Sequence, residues 1–347
     1  MRCCLLSTFL AAICCVIAVA HADIWQPEVN ATWQWQLQFA VNTSFDVDMY
    51  DVDLFDVETS VFEQIKARGM AVICYFSAGT QEDWREDADD FPESALGEPL
   101  GDWEGEVWVD VNDEGVRDVM AARLDLALEK GCDGVEADNV QVYLEEGVTG
   151  VSVTADQQLD YNIFLATEAH NRNLSIGLKN DLEHLVELEP YFDWAINESC
   201  FEYDQCDGYD LTFLSAGKAV FNAEYEKDDL SFCVKANAMG LSSLLKSYDL
   251  GPERCSCQDR STDNQCALLL EEEEFPPPTS STTSETDDEV DVPTKSETDA
   301  PTASPRSSSG ARRNFVVAAA GGEGLLLSVV VKLAPGVAVV LLVGVFL

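Results

Sequence analysis

Histidine is nearly missing from this chain, with three among 347 residues. His21 falls in an amino-terminal leader, and neither His170 nor His184 stands in a His-Glu-x-x-His spacing, so a histidine-built zinc site is not expected. No Gly-x-Ser-x-Gly elbow accompanies them, which removes the usual serine-hydrolase arrangement. Nucleotide chemistry also lacks its signatures: no Gly-x-Gly-x-x-Gly follows the first strand, and no Gly-Lys-Ser/Thr loop occurs. No EF-hand loop is visible, and neither metal nor cofactor is expected. Basic side chains are scarce as well, 20 against 64 acids, for a net charge of −44. Such a surface repels nucleic acid and anionic lipid and attracts a cationic ligand, although acid of this kind also serves plain solubility.

What is present begins with a leader. Arg2, the apolar stretch from Leu5 to Val19 and Ala20-His21-Ala22 read as a secretory signal over residues 1–22. Removing it takes four of the twelve cysteines and leaves eight, an even number that in an exported chain favours disulfides over metal. Cys200 and Cys206 are close enough to close a small loop; Cys255, Cys257 and Cys266 cluster near the end of the folded part, and their pairing stays open. Acceptor sequons occur at Asn30, Asn42, Asn173 and Asn197, the last inside a strand and expected to be unused.

Residues 23–250 alternate short β-branched or aromatic runs with stretches of helical spacing. The strand-like runs are 47–54, 71–77, 107–111, 134–138, 175–179, 194–198, 219–223 and 242–246, with 35–39 as an extra one. Between them lie amphipathic stretches, clearest at 116–130, where Val119, Ala122, Leu126 and Cys132 border one face and Arg117, Asp118, Arg123 and Glu129 the other. Eight such repeats over this length predict an α/β fold, a (β/α)8 TIM barrel. Residues 251–270 read as a cysteine-containing extension. The acidic Ser/Thr/Pro-rich run at 271–314 cannot bury enough apolar surface to fold and reads as a disordered stalk. A hydrophobic tail follows at 315–347; its uninterrupted part, 333–347, suits a removable lipid-anchor signal, with a tilted transmembrane helix as the competing reading. On this reading the membrane is met through the tail alone.

Chemistry concentrates where the strands end. In 134–138, alternation puts Glu136 and Asp138 on one face and Val135 and Ala137 on the other, so both acids point into a barrel. Asp138 then emerges at the rim and Glu136 lies one layer deeper, where an unpaired charge would cost several kcal/mol and calls for a partner; Lys179 is the candidate. Asp51 and Asp53, Asp110, Asp138, Lys179 and Asp181, Glu198 and Glu224 all fall near separate strand ends, with Tyr75 and Tyr225 among the nearby aromatics. Carboxylates bind sugar hydroxyls and rings stack on pyranose faces, so the pattern points to a glycan site. Two carboxylates on distant strands, Asp138 and Glu198, are what glycoside cleavage requires.

Several motifs carry a resemblance. Asp-Val-Asp-Leu-Phe-Asp at 51–56, Val-Ile-Cys-Tyr-Phe-Ser-Ala-Gly at 72–79, Trp84-Arg85 with Phe91-Pro92, Gly-Cys-Asp-Gly-Val-Glu-Ala-Asp-Asn at 131–139, Gly-Leu-Lys-Asn-Asp at 177–181, Asn-Glu-Ser-Cys-Phe at 197–201, Lys218-Ala-Val-Phe and Glu224-Tyr225 resemble glycoside hydrolase family 114. The resemblance spans residues 33–248 and departs locally at Ala137, where proline is expected. It implies a (β/α)8 barrel and endo-α-1,4-polygalactosaminidase activity, with Asp138 as nucleophile and Glu198 as acid/base ending strands four and six. It also implies a sugar pocket lined by Asp53, Tyr75, Lys179, Asp181 and Glu224, to which the strand-end pattern adds Asp110, Glu136 and Tyr225. The expected partner is a cationic amino-sugar polymer. Two alternatives stand beside this reading: a carbohydrate-binding wall protein without turnover, and a hydrolase of another α-linked glycan.

Overall fold

A computed structural model describes residues 24–258 apart from 102, 146, 226 and 228, together with 266, 269 and 270, and the backbone of 326–333 and 337–344. The leader and the acidic stalk lie outside the described residues. Eight parallel strands run through one curled sheet in chain order: β1 (Trp33–Gln36), β2 (Met49–Asp53), β3 (Ala71–Ser77), β4 (Gly134–Asp138), β5 (Ser175–Lys179), β6 (Trp194–Glu198), β7 (Val220–Glu224) and β8 (Ser242–Leu245). The architecture is that of a TIM barrel.

The count of eight is reached differently from the sequence expectation. Residues 107–111 are not a barrel strand: Glu106–Val109 pairs antiparallel with Thr80–Glu82 and Leu96–Pro99 in a separate small sheet inserted after β3. Of the run at 35–39 only Trp35 and Gln36 are strand; they end β1, a full barrel strand that begins at Trp33. Alternating β-branched residues announce a strand without saying which sheet receives it. With one strand lost and one gained, Asp138 and Glu198 still end the fourth and sixth strands.

Closure uses the segment beyond residue 248. Cys255–Ser256 pairs antiparallel with Leu244–Leu245. On the other side, the Leu37 and Gln38 amides donate to Leu250 O, and Gln34 Nε2 donates to Pro252 O. This stretch is thus part of the ring rather than an extension of it. Four disulfides brace the domain: Cys74–Cys132, Cys200–Cys206, Cys233–Cys257 and Cys255–Cys266. The small loop expected at 200–206 is present.

Side chains sort by layer. Outward residues such as Val52, Cys74, Val135, Ala137, Ile176 and Leu178 join a core shared with the helices. Inward residues at the amino-terminal end form an aromatic plug of Trp33, Trp35, Trp194 and Phe221. Gly177 is required there, because a Cβ would meet the Trp194 ring at 2.2 Å. Helix Glu114–Lys130 is capped by Asp113, which accepts from Gly115 N, and stops at Gly131 with φ 85°. Its buried face runs through Val116, Met120 and Leu124 and includes Arg123, which the sequence pattern placed outward. Burial is tolerated because the guanidinium donates to both Asp87 oxygens and to Ser77 O.

Residues 281–347 form a second unit, in which Leu326–Leu333 and Val337–Gly344 pair as an antiparallel hairpin. The described part of the tail is therefore strand where the alternative reading expected a transmembrane helix. Among the described residues no helix is long and apolar enough to cross a membrane.

The Cys74–Cys132 bridge spans 58 residues and ties β3 to the turn that enters β4. Replacing both cysteines by alanine should cost about 3–4 kcal/mol, the scale of loop-closure entropy for so long a loop. Denaturant unfolding checks this, and a loss below about 1 kcal/mol contradicts it.

Candidate active site

Four elements converge at the carboxyl end of the barrel. Asp138 ends β4, Lys179 ends β5, Glu198 ends β6, and Tyr225 follows β7. After each of the first three the chain turns through the left-handed region, at Asn139 (φ 60°), Asn180 (φ 49°) and Ser199 (φ 60°). Such turns redirect the backbone at once and leave the preceding side chain facing the mouth; asparagine tolerates them best. Asn180 does more: its Oδ1 accepts from the Glu198 amide at 3.0 Å and from Asn197 Nδ2 at 3.1 Å.

Lys179 is the hub. Its Nζ lies 2.8 Å from Asp138 Oδ1, 3.0 Å from Glu198 Oε2 and 3.4 Å from Glu136 Oε1, and 5.3 Å from the centre of the Trp35 ring. Burial works against its charge, but Asp138, Glu198 and Glu136 outweigh burial and hold the ammonium well above the ordinary lysine range. Asp138 also accepts from Tyr75 Oη at 3.1 Å and from the Asn139 amide at 2.7 Å. Glu198 accepts from Tyr225 Oη. Burial, then the neighbouring carboxylates, push both phenols well above their usual range, so they remain donors. Asp138 and Glu198 keep 18% and 33% of their side chains exposed, whereas Lys179 keeps 2% and Glu136 none. Two carboxylates therefore face the opening above a buried charged floor.

The remaining expected pocket residues are distributed differently. Tyr75, Glu136, Lys179 and Tyr225 join Asp138 and Glu198. Asp53 is 3% exposed and spent on Arg85, which clamps both its oxygens, and on the amides of Phe55 and Asp56. Asp181 is fully buried among Tyr143, Asn162 and His184. Glu224 is fully buried on Phe201 N and Lys227. Asp110 lies beyond the small sheet and accepts from the amide and side chain of Asn112. These four carboxylates bond to turn and loop groups, and none bonds to Asp138, Lys179 or Glu198. His170 pairs with Asp193, and Asn197 is 1% exposed.

Sequence reasoning missed Trp35, whose Nε1 donates to Glu136 Oε2 at 3.0 Å, and Tyr248, which is 49% exposed and stacks on Tyr225 at 4.5 Å. An aromatic two residues after Lys246, just past β8, was the available signal for the latter. A separate surface hollow of about 190 Å³, lined by Phe55, Glu86, Asp87, Asp90 and Arg123 among others, shares no residue with this site. Among the described residues no group of three or more His, Cys, Asp or Glu side chains is arranged to hold a metal ion.

A family model described as glycoside-hydrolase family GH114 matches residues 17–262. Ega3 of Aspergillus fumigatus, solved in complex with galactosamine, is 38% identical; the match covers 68% of this chain and 99% of that one, with a TM-score of 0.64. The glycoside hydrolase domain of PelA from Pseudomonas aeruginosa shares the fold at 13% identity, covering 65% of this chain and 97% of that one, with a TM-score of 0.52. No curated protein matches significantly.

The buried carboxyls leave a pH signature. Burial raises Glu106, hydrogen-bonded to Thr80, to about 7, and burial likewise holds Asp51 well above the carboxylate range. Folded-state values above the unfolded ones mean that the native state binds more protons between about pH 4.5 and 7. The stability they confer is present below that window and lost as pH rises through it. The thermal midpoint should fall by several degrees from pH 5 to 7.5, and Glu106→Gln should flatten the fall. An equal slope in the variant rules out Glu106 as a source.

Proposed function

The chain belongs to glycoside hydrolase family 114, and on that premise we propose that it cleaves α-1,4 linkages in galactosamine-containing polysaccharide by double displacement. Asp138 attacks the anomeric carbon while Glu198 gives its proton to the departing oxygen. A water then loses a proton to Glu198 and displaces Asp138, leaving the configuration retained. One observation carries this reading: a single ammonium touches both carboxylates, at 2.8 and 3.0 Å, which confines those two oxygens to within about 5.8 Å of each other. Retaining pairs stand about 5–5.5 Å apart and inverting pairs about 6.5–9.5 Å, because inversion needs room for a water between carboxylate and sugar.

The surrounding groups fit the two steps. Tyr75, Lys179 and the Asn139 amide favour the Asp138 anion and fix its orientation. Once Asp138 is esterified to the sugar its charge is gone, and Lys179 is left to stabilise Glu198 as the carboxylate the second step uses as base. An amino sugar brings its own cation to a floor where the carboxyl groups of Glu136, Asp138 and Glu198 outnumber one lysine, which supports galactosamine over a neutral glycan. The exposed Tyr248 face, stacked on Tyr225 beside Glu198, is a natural platform for the next sugar ring on the leaving-group side. Export through the leader and retention at the cell surface by the lipid-anchor tail complete the proposal; the four disulfides support an oxidising destination.

Asp138→Ala and Glu198→Ala should each lower release of reducing ends from a galactosamine polymer by about 10³-fold while leaving thermal unfolding in place. In wild type, proton NMR should find the α anomer first; early β product overturns retention. Polymer that binds without new ends would make this a carbohydrate-binding protein, and cleavage of neutral α-glycans unaffected by salt would point to another hydrolase. Tyr248→Ala should raise KM for the polymer about tenfold and leave kcat nearly as it was; an unaltered KM removes the platform.

A further inference from the structure

We infer that Asp51 rests as a protonated carboxylic acid whose O–H is donated to Glu136, and that this fixes Glu136 as the anion that holds Lys179 between Asp138 and Glu198. Asp51 sits on β2 and Glu136 on β4, both at 0% exposure beneath the catalytic mouth. Both Asp51 oxygens and Glu136 Oε1 are buried without a hydrogen-bond partner, and Glu136 is the charge that acts most strongly on Asp51. Two buried carboxylates facing each other without a proton would repel in a medium that screens poorly, so one proton belongs between them.

The surroundings decide which residue owns it. Glu136 Oε2 accepts from the Trp35 indole, and Oε1 lies 3.4 Å from the Lys179 ammonium. A proton on Oε2 would set donor against donor, and a proton on Oε1 would cancel the charge that the ammonium pairs with. Asp51 faces no such donor; in register it lies opposite Trp35 on β1 and Ile73 on β3. The charged groups that act on the pair are Lys179 from β5, Asp138 from β4 and Glu198 from β6. Burial, followed by the charge of Glu136, pushes Asp51 well above the carboxylate range, in the same direction as the geometry. Asp51 touches neither sugar nor reacting atoms. It is a positioning residue, acting through Glu136 on the lysine that bridges the two reactive carboxylates.

The inference rests on the hydrolase reading only for its kinetic readout, so infrared spectroscopy is measured alongside. Near pH 6, wild type should show the C=O stretch of a protonated carboxylic acid that shifts with ¹³C-labelled aspartate and is absent from Asp51→Asn. Asparagine can still donate to Glu136, so this variant should stay within about threefold of wild-type kcat/KM, whereas Asp51→Leu, leaving a buried acceptor unsatisfied, should lose about tenfold or more. No aspartate-derived band, or an asparagine variant as impaired as the leucine one, overturns the inference. If Asp51→Leu does not fold, the wild-type and Asp51→Asn pair decides with both readouts. A band present in a wild type that cleaves no galactosamine polymer would leave the proton assignment standing and refute the proposed activity instead.

Discussion

Lys179 carries one positive charge at 2% exposure and meets three carboxylates within 3.4 Å. A buried ammonium is costly to desolvate and is held only because its partners are close and fixed. The converse holds equally: Asp138 and Glu198 come from strands separated by 41 and 19 residues on either side of it, and the shared cation brings their charges together without repulsion driving them apart. The spacing that distinguishes retention from inversion is thus set by an electrostatic balance at the centre of the barrel rather than by loop conformation.

That balance depends on layers built below it. An aromatic plug fills the amino-terminal half of the barrel, with Gly177 absent of side chain so that Trp194 can occupy the space under β5. Indole N–H groups in this plug are not idle: Trp33 donates to Ser242 O across the closure, Trp194 to Ser175, and Trp35 upward to Glu136. The plug therefore excludes water from the floor and supplies a donor to one of its acids. Low dielectric strengthens every interaction among Glu136, Lys179 and Asp138. Left-handed turns at Asn139, Asn180 and Ser199 then end the strands abruptly, which keeps Asp138 and Glu198 on the sheet itself.

Much of this was legible because strand alternation is a local rule. From Val135-Glu136-Ala137-Asp138 alone, the inward pair, its depth order and the need for a partner follow, and Lys179, the candidate from the next strand, lies against both acids. Other features were not local. The run at 107–111 has the composition of a barrel strand, but its hydrogen-bond partners at 80–82 and 96–99 are known only from tertiary pairing. Arg123 looked like an outward helix residue because its partners, Asp87 and Ser77 O, come from a loop and strand elsewhere. Asp53 and Glu224 share the strand-end position of Asp138, Asp181 lies two residues past one, and only the presence of Arg85, Lys227 and His184 at their oxygens tells these loop-bracing carboxylates from one left partly open to solvent. A strand-end acid is thus a necessary mark of the site and an insufficient one.

The distinction has an energetic form. At Asp53 the acid is matched: Arg85 bonds both oxygens and two backbone amides complete the shell, so nothing is gained by bringing another cation near. At the mouth the count is deliberately short. One lysine and two phenols serve Asp138 and Glu198, both partly open to solvent, with Glu136 adding a further carboxylate below. A shell left short of positive charge is a weak stabiliser of the fold but a strong attractor for a ligand that supplies what is missing, and it restores electroneutrality only when that ligand is bound. Sites of this kind trade local stability for recognition. The excess of acid that sequence composition shows for the whole chain is thus concentrated, at this one place, into a local deficit of positive charge.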